Sequence, residues 1–313
     1  MKSLRIVFMG TPEFAATSLR ALCASRHEVV GVVTVADKPA GRGLQMQSSP
    51  VKTLALEHGL QVLQPLKLKD PEFIEELRSL HADLFVVVAF RMLPEVVWSM
   101  PPMGSVNLHG SLLPKYRGAA PINRAIMNGE TETGVTIFFL QHEIDTGRVI
   151  VREAMKIGPN TTAGELHDAM MELGARVLVQ AIDAIADGRA EAVDQERLLP
   201  PGEDVPSAPK IFKEDCKVDW SWNVQRVHNH IRGLSPYPAA WTELEGKMFK
   251  IFRGLPIEGK QIEKAFETDG KTYLNFRCAD GVYSALTIQP EGKKRMEIEE
   301  FLRGWRPSSV TND

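Results

Sequence analysis

Asn107 and His109 stand two residues apart in the stretch NLHGSLLPKYRGAAP (107–121), and Asp145 follows further on in EIDTG. An amide, an imidazole and a carboxylate suit acyl transfer to an amine. The amine is itself the nucleophile in such a reaction, so the protein has only to stabilise an oxyanion and move protons. The Asn amide and a protonated imidazole donate to the developing oxygen charge. A neighbouring carboxylate orients the ring and takes the amine proton, directly or through water. Taken singly, His109 equally fits a hydrogen-bonded core histidine, and Asp145 a turn former ahead of Thr146-Gly147. Only the set points to chemistry.

For the three to act together, the fold must bring them to one place. The front of the chain alternates short apolar runs with amphipathic segments. Strands are expected at Leu4–Met9, 28–35, 61–65, 83–90, 105–109, 134–140 and 149–157. Helices are expected after Thr11-Pro12-Glu13, with Thr11 as cap, then over 50–58 and 70–81, and as a long segment over 161–187. Apolar strands separated by helices predict an α/β fold with a doubly wound, mostly parallel sheet. Ligands of such sheets bind beyond the carboxyl ends of the strands. Asn107 and His109 lie at one such end, Phe90-Arg91-Met92-Leu93 follows another, and Asp145 lies just past a third.

Residues 199–209, LPPGEDVPSAP, hold four prolines and no helix or strand period, which predicts a linker. The expected domains are therefore 1–198, a catalytic domain, and 210–313, a smaller β-rich one. In the latter, 241–253, 272–277 and 282–289 read as strands, with Asp280-Gly281 as a hairpin turn and a helix over 223–231 ahead of them. A small OB-like β-barrel is the expected form.

Other chemistries lack their signatures. The loop GTPEF after the first strand is not GxGxxG, and neither a P-loop nor a GxSxG elbow occurs. His228 and His230 are two apart on an expected helix and face different ways, so no shared metal is expected there. Cys23, Cys216 and Cys278 form no CxxC pair and read as free thiols in a reducing compartment. The apolar run at the N-terminus is too short for a signal-peptide core, and no run reaches the ~18 apolar residues of a membrane span. A cytoplasmic monomer without membrane attachment is expected. The net charge of −3 does not suggest nucleic acid, but residues 209–313 hold 17 Lys and Arg against 15 Asp and Glu, a slight basic excess that hints at a polyanionic partner.

NLHGSLLPKYRGAAP, together with GETETGVTIFFLQHEIDTG at 129–147, resembles the formyltransferases that use 10-formyltetrahydrofolate. GTPEFA (10–15), ADKPAGRG (36–43), SPVK (49–52) and, beyond the linker, IRGLSPYPAAW (231–241) are similar to the members that act on initiator methionyl-tRNA. The resemblance implies that Asn107, His109 and Asp145 are catalytic. It implies that Ser111, Leu112, Leu113 and Pro114 contact the folate, and that Phe90, Arg91, Met92, Leu93 and the loop carrying His142 line the pterin pocket. It also implies that Lys38, Arg42 and the C-terminal domain contact tRNA, with 10-formyltetrahydrofolate as formyl donor and no metal. Where many relatives carry two lysines after GRG, this chain has Leu44-Gln45. The alternatives are a family member acting on a small amine, such as glycinamide ribonucleotide or an amino-sugar nucleotide, and a non-catalytic RNA-binding module.

Overall fold

The computed structural model describes residues 2–40, 45–200 and 202–305. Arg42 of the expected tRNA-binding loop lies outside them. Two compact units are built from interleaved stretches: Met1–Gly118, Thr133–Met155 and His167–Ser207 form one, and Ala119–Glu132, Lys156–Leu166 and Ala208–Asp313 the other.

The first unit follows the alternation of the sequence: β1 (Arg5–Gly10), α1 (Glu13–Cys23), β2 (Glu28–Val33), a small hairpin of β3 (Lys38–Ala40) and β4 (Gln45–Gln47), α2 (Pro50–Glu57), β5 (Val62–Leu63), α3 (Pro71–Ser79), β6 (Leu84–Val88), α4 (Glu95–Trp98) and β7 (Ser105–His109). After α5 (Pro121–Met127), which belongs to the second unit, come β8 (Glu132–Phe139), β9 (Val149–Lys156) and α6 (Ala163–Ala186). The seven-stranded sheet runs in the order β5-β2-β1-β6-β7-β8-β9. Strands β5, β2, β1, β6 and β7 are parallel, while β8 runs antiparallel to β7.

The order reverses at β1, from which the chain builds outward first to β2 and β5 and then, on the other side, to β6 and β7. In register, Gly10 pairs with Val88 and Val88 with Leu108, so three parallel strands end level with one another. That shared edge is where residues of β7 and the loop after β6 are placed. Leu84 to Val88 are all buried, as a strand covered on both faces requires.

Helix starts follow simple chemistry at two places. Ser49 accepts from the Lys52 amide at 3.1 Å, and Asp70 from the Glu72 amide at 3.1 Å, each ahead of a proline in the first turn. At α1 the expectation fails: Pro12 is the N-cap, no side chain caps the helix, and the Thr11 hydroxyl is buried without a partner.

In the second unit α7 (Val224–Leu234) packs on an antiparallel sheet of β10 (Ala240–Leu244), β11 (Lys247–Glu258), β12 (Phe266–Thr268), β13 (Leu274–Arg277), β14 (Gly281–Pro290) and β15 (Met296–Glu297), with α8 (Ile298–Gly304) closing it. The order is β10-β11-β14-β13-β12, with β15 also on β14. Strands β10 and β12 remain separate edges among the described residues, so the sheet is a curled half-barrel. Register shifts around Arg253 in the β11–β14 pair supply local coiling. The run expected as one strand over 241–253 is two: Glu245 and Gly246, at φ 50° and 76°, make the two-residue turn that hairpins favour. Val227, Ile231 and Leu234 of α7 join Ile251, Tyr283 and Ile288 of the sheet in one core.

Two histidines enter that core. Burial lowers the pKa of His228 and pushes that of His230 down to about 4. A folded-state value below the unfolded ~6.5 means the unfolded chain takes the proton first as pH falls. His230 should therefore cost stability progressively between about pH 6.5 and 4, up to roughly 3 kcal/mol at the acid end. Chemical denaturation from pH 7 to 4.5 should show a shallower acid loss in His230→Met than in the parent chain. Identical slopes would contradict the burial argument.

Candidate active site

Along β7 successive side chains alternate, so Asn107 and His109 point to the same face of the sheet. Asn107 sits opposite Val87 of β6, and its Nδ2 donates to the Val87 carbonyl at 3.1 Å. That bond orients the amide and leaves its second N–H available. His109 is 7% exposed and meets the Phe138 ring edge-on, with centroids 6.5 Å apart. Its Nε2 lies 2.9 Å from the carbonyl oxygen of Tyr116. A carbonyl only accepts, so Nε2 carries a hydrogen and Nδ1 is the nitrogen left for other work.

Asp145 comes to that nitrogen. Its Oδ2 is 3.7 Å from His109 Nδ1, within ion-pair range but past hydrogen-bonding reach, and it accepts the Gly118 amide at 2.9 Å. Both side chains are largely shielded, so the attraction is less screened than between exposed charges. The Asp145 backbone is left-handed, at φ 55°, a conformation in which aspartate is enriched and which costs on the order of 1 kcal/mol. The turn also depends on Gly147: a Cβ there would lie 1.6 Å from the Phe139 carbonyl oxygen, so only glycine lets the chain return beside β8. Thr146 completes the turn by donating to the Glu143 carbonyl at 3.0 Å.

The stretch from Ser111 to Tyr116 is a tied loop. Thr136 Oγ1 donates to the Ser111 carbonyl at 2.7 Å and accepts from the Leu113 amide at 3.1 Å, and Arg152 donates to the Leu113 carbonyl at 2.9 Å. The Ser111 hydroxyl donates to the Lys115 carbonyl at 2.7 Å. Ser111, Leu113 and Pro114 are buried, while Leu112 is half-exposed. Tyr116, buried and left-handed at φ 61°, receives its position from its amide bond to the Pro206 carbonyl at 2.6 Å. This places the one carbonyl on which His109 rests. The segment expected as a linker is thus anchored at Pro206.

Of the remaining expected residues, Phe90 and Leu93 pack in the same cluster as Leu140. Arg91 donates to the Leu66 carbonyl at 3.0 Å and also to that of Pro65, so its guanidinium holds a neighbouring loop. Met92 and Ile144 are exposed, at 73% and 58%. His142 is exposed and lies 3.9 Å from Glu95, which brings the 90–95 and 141–144 loops side by side. Lys38 is exposed on the β3–β4 hairpin. Behind that hairpin the Lys52 ammonium and the Gln64 amide hold Asp37, at 2.5 and 2.9 Å, and lower its pKa. The sequence reading missed Tyr116 and Gly118 as partners of the site, because both act through backbone groups that carry no residue-type signal. No group of three or more His, Cys, Asp or Glu that could hold a metal occurs among the described residues, and none of their helices is long and apolar enough to cross a membrane.

The arrangement offers two donors on one strand, a carboxylate facing the imidazole, and two loops with exposed apolar side chains. A model of the formyl transferase domain matches residues 4–182, and one of the formyl transferase C-terminal domain matches 210–306. A methionyl-tRNA formyltransferase of Bacteroides fragilis (strain ATCC 25285) is 52% identical over 311 residues, covering 97% of this chain and 96% of that protein. One of Bacteroides thetaiotaomicron is 52% identical over 314 residues, covering 98% and 97%. Among solved structures, WlaRD, a sugar 3N-formyl transferase crystallised in the presence of dTDP and 5-N-formyl-THF, shares the fold. Its TM-score is 0.68 at 19% identity, over 94% of this chain and all of that one. Matched in both domains and half-identical to such relatives over nearly its whole length, the chain belongs to the formyl transferase family, among the methionyl-tRNA formyltransferases.

Proposed function

We propose that the chain transfers a formyl group from 10-formyltetrahydrofolate to the α-amine of methionine esterified to initiator tRNA, with Asn107, His109 and Asp145 at the reacting centre. The observation that carries the reading is the approach of Asp145 Oδ2 to His109 Nδ1, at 3.7 Å, while the other ring nitrogen is held by Tyr116. The free amine attacks the formyl carbon, forming the C–N bond and a tetrahedral oxyanion. The second Asn107 N–H and His109 Nδ1–H, with the imidazole charged, donate to that oxygen. Asp145 holds Gly118 with one oxygen and takes the amine proton with its carboxylate. Collapse of the intermediate breaks the bond to N10, which receives the proton and leaves as tetrahydrofolate.

The folate would lie along the Ser111–Pro114 loop, where Leu112 is the side chain that remains partly open. Met92, with Phe90, Arg91 and Leu93 behind it, and the His142 loop present apolar surface suited to a planar pterin. Lys38, and Arg42 on the same stretch of sequence, would meet tRNA phosphate.

His109→Ala and Asn107→Ala should each slow single-turnover formylation by ~10²–10³-fold with tRNA affinity nearly unchanged. Asp145→Asn should lose a comparable factor with folding intact, and rates near the parent for all three would remove the site assignment. With 10-formyltetrahydrofolate as donor, methionyl-tRNA should be formylated and an amino-sugar nucleotide or glycinamide ribonucleotide should not; the reverse preference would establish a small-amine enzyme. Lys38→Ala should reduce the slope of log affinity against log salt for tRNA by roughly one, since one fewer counterion is released. An unchanged slope would take Lys38 off the RNA.

A further inference from the structure

We infer that Gln195 is a positioning residue that holds the Asp145 turn and the loop after His109 in one geometry. It lies on a short 3-10 turn (Gln195–Leu198) beyond α6, far in sequence from both, and is only 3% exposed. Its Nε2 donates to the carbonyls of Asp145 and Gly147, each at 2.8 Å. Its Oε1 accepts from Arg117 Nε at 3.0 Å and Nη2 at 2.7 Å. Every strong bonding direction of the amide is therefore spent on two loops.

One of those loops carries Asp145, and the other supplies the backbone groups that hold His109 and Asp145. Arg117 sits between Tyr116, whose carbonyl holds His109 Nε2, and Gly118, whose amide holds Asp145 Oδ2. Gln195 grips the turn through the carbonyls of its left-handed residue, Asp145, and of its required glycine, Gly147. A buried amide satisfied on all sides has one orientation, and so transmits position rather than merely filling space.

The clamp has a rigid mount. Val149, at the start of β9, and Val193 exchange both backbone hydrogen bonds at 2.8 Å, which ties the strand leaving the Asp145 turn to the segment that leads into the Gln195 turn. Leu198, at the far end of the turn, packs against Leu113, Phe138 and Val149. The same small cluster thus supports the loop after His109, the strand facing it and the turn bearing Gln195. A catalytic carboxylate displaced by about 1 Å costs on the order of 10²-fold in rate, so a residue that touches no substrate acquires kinetic weight here.

The inference rests on the reading of Asp145 as the group that handles the proton, and the test separates the two. Gln195→Met keeps the volume and removes every polar contact. Gln195→Glu keeps the Arg117 pair but turns a carboxylate oxygen toward two carbonyls, so it serves if the methionine variant does not fold. Single-turnover rates, KM for both substrates and thermal midpoints are measured for these, for Asp145→Asn and for the Asp145→Asn/Gln195→Met double variant. The expected result is a rate loss of ~10–10²-fold in both Gln195 variants with KM changed less than about threefold. In the Asp145→Asn background, Gln195→Met should cost clearly less than the factor it costs in the parent chain, because a large part of its effect passes through Asp145. Parent-like rates in both Gln195 variants beside a slow Asp145→Asn would overturn the inference alone, as would a full multiplicative loss in the double variant. A parent-like rate in Asp145→Asn would overturn the reading beneath it.

Discussion

A carbonyl that accepts from one nitrogen of a buried imidazole decides which nitrogen is left for chemistry, and the Tyr116 carbonyl does this for His109. The ring is buried, and Phe138 stands edge-on to it. Nδ1 then faces Asp145, and the roles proposed for both residues follow from that orientation. Tyr116 can supply its carbonyl only because its backbone turns left-handed and its amide is bound to Pro206. A single hydrogen bond of 2.9 Å is thus the end of a chain of backbone constraints running to residue 206.

The loop after β7 shows how rigidity is obtained without regular structure. Ser111, Leu113 and Lys115 have backbone groups bound by Thr136, Arg152 and the Ser111 hydroxyl. Buried backbone groups without partners cost about as much as lost hydrogen bonds, so a buried irregular loop persists only where side chains supply them. Thr136 is well placed for this, since it stands opposite His109 on β8. Leu112, by contrast, stays half-exposed within the same loop. The result is a firmly tied loop with one apolar side chain still partly exposed.

The Asp145 turn concentrates backbone strain where the chemistry is proposed. A left-handed aspartate and a glycine with no room for a Cβ stand two residues apart, and the carboxylate is steered by the Gly118 amide rather than by the histidine. Such conformations survive only when the surroundings over-determine them. The carbonyl contacts made by Gln195 and the Thr146 bond to Glu143 are the surroundings in question.

The pattern of residues along the chain was enough to establish a mostly parallel α/β sheet, a smaller β-rich C-terminal unit, and the placing of Asn107 and His109 at the carboxyl end of one strand. These follow from local periodicity: alternation sets which side chains share a face, and apolar runs of a given length between helix signals set the sheet type. Locally ambiguous features were read less well. Thr11 looked like a cap but is a buried hydroxyl without a partner, and the run 241–253 concealed a turn because Glu245 is a poor sign of left-handed backbone. Only the tertiary structure decided that Asp145 stops 3.7 Å from the imidazole, that Tyr116 holds the other nitrogen, and that Gln195 ties the two loops. Each of those contacts joins backbone groups or a lone amide across long stretches of chain. Backbone carbonyls are the same at every residue, so nothing in the order of side chains marks the few that a fold will bring within bonding distance.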